Sequence, residues 1–170
     1  LNNIRVLEII DCPLLEEIPF LKDLRSLKII NCNSLNNISK SNLIENYHLE
    51  NCKNIRIIHS MSRINNIYIS ECNFLKIITS NRRINKCYLY KNEILPKIIK
   101  MNYLILDNCE SIKEINKEND YRNLKIKNMN RIPIIHKTKM IVLTLENIYN
   151  EDNLERIYNI KKINCLNLIR

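Results

Sequence analysis

Seven cysteines and three histidines are the residues of this 170-residue chain with the chemistry for metal binding, redox work or nucleophilic catalysis, and their spacing decides among these. Zinc sites use closely spaced pairs such as C-x-x-C with matching histidines. Here no two cysteines stand closer than fifteen residues, and Cys52 and His59 share a repeat but are expected to point to different places. His48, His59 and His136 are expected to stand apart from any nucleophile or paired carboxylate. A chain with no glycine cannot form a Gly-rich phosphate loop. The expectation is a non-enzyme with no catalytic residue, no metal and no cofactor.

The elements that carry these residues are repeats. Leu7-Glu8-Ile9-Ile10-Asp11-Cys12 is followed twenty residues later by Leu27-Lys28-Ile29-Ile30-Asn31-Cys32. Anchored on the first apolar residue of each doublet, the register continues through Tyr47, Ile67, Cys87, Leu104, Leu124, Leu143 and Leu166. Another apolar residue precedes each anchor by three positions, from Ile4 and Leu24 to Met140 and Ile163. A third follows by two, from Ile9 and Ile29 to Leu145 and Leu168. Alternation with a period of two predicts a short strand with one buried face. A period near twenty predicts a solenoid.

Five residues past the anchor stand Cys12, Cys32, Cys52, Cys72, Asn92, Cys109, Met129 and Ile148, followed by two further apolar positions such as Leu15 and Ile18. The unit, apolar-x-x-Leu-x-Leu-x-x-Cys-x-x-Leu-x-x-Ile, resembles the leucine-rich repeat in its cysteine-bearing form over almost the whole chain. That resemblance implies a parallel β-sheet on a concave face, a return along a convex face and about nine coils in a single domain, residues 1–170. Units this short leave little room for helix, so 3₁₀ or irregular segments are expected on the return. Neither end carries a recognisable cap, and open solenoid ends expose apolar coil faces. The chain is therefore expected to be part of a longer polypeptide or to be covered by another subunit.

Neighbouring thiols such as Cys32 and Cys52 would lie within disulfide range if the strands are in register. An odd count, an inward-pointing position and tolerance of Asn92, Met129 and Ile148 there favour reduced packing thiols over a disulfide ladder. Localisation in a reducing, intracellular compartment is the corresponding expectation.

Ile, Asn and Lys dominate while Gly is absent, a bias that fits AT-rich codons, so single Asn and Lys residues carry little weight. The net charge of +9 still favours acidic proteins, nucleic acid or anionic surfaces as partners. No run of eighteen apolar residues predicts a membrane span.

Binding surfaces follow from the repeat register. Residues flanking the two inward positions project outward, and the central ones include His48, Tyr68, Lys86, Tyr88, Tyr90, Tyr103, Lys125 and Lys127. Tyrosine combines a large apolar contact with a polar tip, so this cluster predicts a protein-binding face. A second row, on the segments leading into the strands, comprises Lys40, Arg63, Arg82, Arg83, Lys100, Lys117, Lys137, Lys139, Lys161 and Lys162. It predicts a basic edge, which would suit an acidic protein or the phosphate backbone of an RNA. The leading expectation is a protein–protein interaction module. The alternative is a basic architectural subunit of a large assembly, possibly a ribonucleoprotein, held by that edge.

Overall fold

The computed structural model describes every residue except 1–2, 41–42, 61–63, 81, 99, 117, 137–138, 151–156, 158–159, 161 and 170, with the backbone alone at 60, 139–140, 162 and 164. Nine strands form one parallel sheet, stacked in chain order: β1 (Val6–Ile10), β3 (Ser26–Ile30), β5 (Asn46–Glu50), β7 (Asn66–Ser70), β9 (Ile84–Tyr90), β11 (Met101–Asp107), β13 (Tyr121–Met129), β15 (Lys139–Ile148) and β16 (Lys162–Ile169). Each anchor pairs with the next, Leu7 with Leu27, then Tyr47, Ile67, Cys87, Leu104, Leu124, Leu143 and Leu166. The seventeen-residue step into Leu104 and the twenty-three-residue step into Leu166 keep this register. Changes of length are absorbed outside the sheet.

On the opposite side run short strands: β2 (Glu17–Ile18), β4 (Asn37–Ile38), β6 (Ile57–Ser60), β8 (Ile77–Ser80), β10 (Lys97–Ile98), β12 (Glu114–Ile115) and β14 (Ile134–Ile135). They pair in parallel within small sheets of two or three. The chain is thus a parallel β-solenoid of about seven turns, with almost no helix among the described residues. Among the described residues these strands stand where 3₁₀ turns were expected, and the isoleucines explain the difference. Ile18, Ile38, Ile58, Ile78, Ile98, Ile115 and Ile135 are all buried at the second position of a strand pair, and β-branched side chains favour extended backbone.

Between the two sides lies a column of stacked rows. Leu24, Ile44, Ile64, Ile84, Met101 and Tyr121 form one row; Ile29, Leu49, Ile69, Leu89, Leu106, Ile126 and Leu145 form another, and all are buried. A fully buried Leu or Ile contributes roughly 1.5–3 kcal/mol, so the column is the main source of stability. At the last strand Leu166 and Leu168 are 46% and 60% exposed, whereas their register partners Leu143 and Leu145 are buried. At the first, Val6 and Ile10 are likewise exposed.

Leaving the sheet requires a sharp corner. Asp11, Asn31, Asn51, Glu71, Lys91, Asn108, Asn128 and Asn147 turn it, all with φ between 48° and 56°. Asn and Asp tolerate this left-handed conformation better than other residues with a Cβ, and they take the role that glycine has elsewhere. Their side chains also make rungs between coils. Asn31 Nδ2 donates to Asp11 Oδ1 at 2.7 Å, Asn51 to Asn31 at 2.9 Å, and Asn147 to Asn128 at 2.8 Å.

The following position is the cysteine ladder, and all seven cysteines are free thiols. Cys32 Sγ reaches the carbonyl of Ile30 at 3.3 Å and that of Ile9, one coil back, at 3.9 Å. Cys52 repeats this with Glu50 and Ile29, and Cys109 with Asp107 and Leu89. Each thiol is a small apolar filler that also donates weakly to carbonyls at the corner. Burial pushes the thiol pKa up in Cys32, to about 12 in Cys87 and to about 11 in Cys109. Cys72 is raised too, through its hydrogen bond with Cys52 and by burial, and that same bond lowers Cys52, so the resistance to ionisation holds for Cys32, Cys72, Cys87 and Cys109. A thiol that resists ionisation is a poor nucleophile and a poor metal ligand.

Candidate interaction surface

The solvent face of the nine-stranded sheet carries three rows of side chains per stack, because alternate residues point outward. In the middle row β5, β7 and β9 place His48, Tyr68 and Tyr88 side by side in direct register. The His48 and Tyr68 rings are 4.5 Å apart and tilted by 54°. Tyr68 and Tyr88 stack at 5.2 Å with 14° between their planes. Lys127 Nζ lies over the far side of Tyr88, 5.5 Å from its centroid. The ring faces are therefore used by neighbours, and the ladder offers edges and phenol tips to solvent.

Its end is held by a polar node that crosses three strands diagonally. The Tyr88 hydroxyl donates to Asp107 Oδ2, Lys127 Nζ meets the same oxygen at 3.0 Å, and Asn128 Nδ2 donates to Oδ1 at 2.7 Å. These neighbours cover Asp107 so completely that it is 4% exposed although it sits on the outer face. Burial opposes ionisation of Asp107, but the hydrogen bonds from Tyr88, Asn128 and Lys127 outweigh it and hold the carboxyl below its usual range. Burial and the hydrogen bond to Asp107 push the Tyr88 phenol up to about 12. Burial, then the charge of Glu50, raises Tyr68.

A depressed carboxylate stabilises the fold above its unfolded pKa, and that contribution disappears as pH falls through the folded pKa. Stability is therefore expected to be lost as pH falls below the ordinary carboxylate range, about pH 4. Thermal melts through that fall in pH should show a shallower loss for Asp107→Asn than for the wild type. Equal slopes would mean that the node does not hold the proton off Asp107.

The other residues of the predicted face are placed as follows. Tyr90 lies beside Ser70 and Asp107 on neighbouring strands, with Lys91 Nζ 5.2 Å from its ring centroid. Tyr103 is 50% exposed next to Lys86, in the row outside the ladder, and makes no ring contact with the other tyrosines. Between them Ile105 is buried on the outward side. Lys125 pairs with Glu146 at 2.5 Å. His48 lies 3.4 Å from Glu50, and Lys28 3.4 Å from Glu8. The face is consequently neutral: Lys28, Lys86, Lys125 and Lys127 are balanced by Glu8, Glu50, Asp107 and Glu146.

The second predicted row is less uniform. Lys40, Arg82 and Lys100 are exposed on the segments leading into the sheet strands. Arg83 is a clamp rather than a free cation: its guanidinium donates to the carbonyls of Met101 and Asp120, at 2.7 and 3.3 Å, and to Asp120 Oδ2 at 2.7 Å. Lys139 and Lys162 are register partners in β15 and β16, with their side chains outside the description. Arg63, Lys117, Lys137 and Lys161 lie outside the described residues.

The histidines are not isolated in the way expected. The twenty-residue register sets His59 Nδ1 3.0 Å from Thr79 Oγ1 on the return side, and His136 Nε2 lies 3.2 Å from Glu114. Each is a pair on its own. Among the described residues no group of three or more His, Cys, Asp or Glu is placed to hold a metal, and no helix is long and apolar enough to cross a membrane. Comparison of the chain with protein-family models, curated proteins and solved structures finds no match in any of the three.

Proposed function

We propose that the chain is a leucine-rich-repeat-type solenoid of nine coils that serves as a non-catalytic interaction module, binding another protein through the tyrosine-centred sheet face. The stacked His48–Tyr68–Tyr88 ladder, locked at its end by Asp107 and Lys127, carries this reading. Rigid tyrosines flanked by Asn46, Asn66, Ser70 and Asn123 combine large contact area with adaptable hydrogen bonding, the chemistry of protein-recognition surfaces. Charge balance on this face favours a partner with a mixed polar and apolar surface, and the acidic partner expected from net charge has no selective advantage here. The ladder also suits a protein better than single-stranded nucleic acid, because bases stack on ring faces and those of Tyr68 and Tyr88 are covered.

Crosslinking mass spectrometry of the native chain would identify the neighbour, and the isolated pair would then be titrated. Tyr68→Ala with Tyr88→Ala is expected to weaken binding about thirtyfold or more, a hot-spot loss of about 2 kcal/mol. Tyr103→Ala with Lys86→Ala removes side chains that hold nothing else in place and is expected to cost about threefold or more. An unchanged Kd in the second variant together with an unchanged Kd in a folded first variant would overturn the proposal.

A further inference from the structure

The excess positive charge is segregated. The sheet face is neutral, and at the left-handed corner Lys53, Lys91 and Arg131 are opposed by Asp11, Glu71, Glu93 and Glu110. On the return side Arg56, Lys76, Lys97 and Lys113 face Glu16, Glu17 and Glu114, an excess of one. The lead-in edge differs. Arg5, Lys22, Lys40, Arg82, Lys100 and Arg122 are all exposed there. Of its acids, Glu45 is held by Arg25 at 3.2 Å, Asp120 by Arg83 at 2.7 Å and Glu118 by Lys97 at 2.8 Å, and Asp23 stands beside Lys22 in the sequence. Lysine drawn from AT-rich codons would spread over every exposed face. It does not explain a single basic edge.

We infer that the lead-in edge is a binding site for the phosphodiester backbone of a nucleic acid, independent of the tyrosine face. The central coils give the geometry. Arg83, Lys100 and Asp120 share one register position on successive coils, since Ile84 pairs with Met101 and Met101 with Tyr121. Arg82 stands one residue before that position and Arg122 two after it, so an exposed cation recurs on each of three consecutive coils, stepped along the chain from one coil to the next. Arg83 neutralises the one carboxylate in their midst while bracing the backbone. One exposed cation on each successive coil fits a polymer with repeated charge better than the scattered carboxylates of a folded acidic protein. Among the described residues the exposed aromatic nearest to Arg82, Lys100 and Arg122 is Tyr103, which belongs to the sheet face, so recognition by the edge itself is of backbone charge and not of base sequence.

The test is fluorescence anisotropy of the whole chain with a labelled 30-nucleotide mixed-sequence RNA, the matching DNA and a labelled polyglutamate, each at 50 and 200 mM salt. Engagement of about four phosphates predicts an RNA affinity about fiftyfold lower at the higher salt. Arg82→Glu, Lys100→Glu and Arg122→Glu together are expected to cut affinity at least tenfold and to lower the salt slope by about 2, while Tyr103→Ala changes neither. Binding of DNA alongside RNA keeps the inference and shows that the sugar is not read. No binding at 50 mM salt, an unaltered slope in a triple variant that keeps its circular dichroism, or polyglutamate binding as tight as RNA would each overturn it.

Discussion

Replacing Asn92 by alanine is expected to lower the free energy of unfolding by about 3 kcal/mol, whereas Asn92→Cys should cost no more than about 1 kcal/mol. Asn92 occupies the ladder position that is cysteine in the four coils before it and the one after it, and it is 3% exposed. Its Nδ2 donates to Ile69 O at 2.8 Å and to Tyr90 O at 3.0 Å, while its Oδ1 accepts from Cys72 N at 3.0 Å. These are the same kinds of contact that the thiols make: Cys52 Sγ reaches the carbonyls two residues and one coil back, and Cys52 N donates to Cys72 Sγ at 3.5 Å. Alanine would strand Cys72 N–H and the Ile69 carbonyl in a dry column, at about 1–3 kcal/mol for each buried unsatisfied group. A thiol retains weak versions of all three bonds. Chemical denaturation of the two variants decides the matter, and equal costs for Ala and Cys would show that the position selects volume and not hydrogen bonding.

The same comparison shows how much of the fold was legible in the repeat. Anchors and buried rows follow from a period of two nested in a period of twenty, and the observed strand pairs reproduce them from Leu7 to Leu166. A turn is legible at the ladder position, but the left-handed residue just before it is not, because codon bias takes the weight from single Asn residues. The signal was nonetheless present: Asp11, Asn31, Asn51, Asn108, Asn128 and Asn147 all stand one residue before the ladder position, where a left-handed turn needs them. Short return strands such as Glu17–Ile18 could not be read, since two residues have no periodicity and only register with the next coil defines them.

The candidate site was legible in one direction only. Residues in one row, such as His48, Tyr68 and Tyr88, are found by counting twenties. In the node, Asp107 and Lys127 share a row and are also found by counting twenty, but Tyr88 joins them from the neighbouring row, so its contacts depend on side-chain reach. Arg83 fails as an edge residue for a similar reason. Its guanidinium spans two coils to Asp120, thirty-seven residues away, a distance that no single repeat step contains.

Glu71→Asn combined with Lys91→Asn is expected to stabilise the chain by about 2 kcal/mol, raising Tm by about 4–8 °C. Among the described residues these are the only left-handed corner positions between Asp11 and Asn147 that are neither Asn nor Asp, with φ of 53° and 49°. A left-handed conformation costs an ordinary residue about 1–2 kcal/mol, and most of that penalty is relieved by Asn. The substitution would also continue the side-chain rungs that now stop at Asn51. What is lost is small: the Lys91–Glu71 pair is 3.9 Å long with both side chains about half exposed, a geometry that contributes little. A fall in Tm would show that the ion pair and the Lys91–Tyr90 contact outweigh the strain. Strain retained where relief is one substitution away points to use, and its place suggests which. Glu71 follows Ser70 and Lys91 follows Tyr90, so the two charges border the tyrosine face, with Phe74 53% exposed just beyond the corner. The stabilised double variant is therefore expected to bind the partner of that face at least threefold more weakly. Undiminished binding would leave the strain without a role in recognition and confine the interface to the sheet itself.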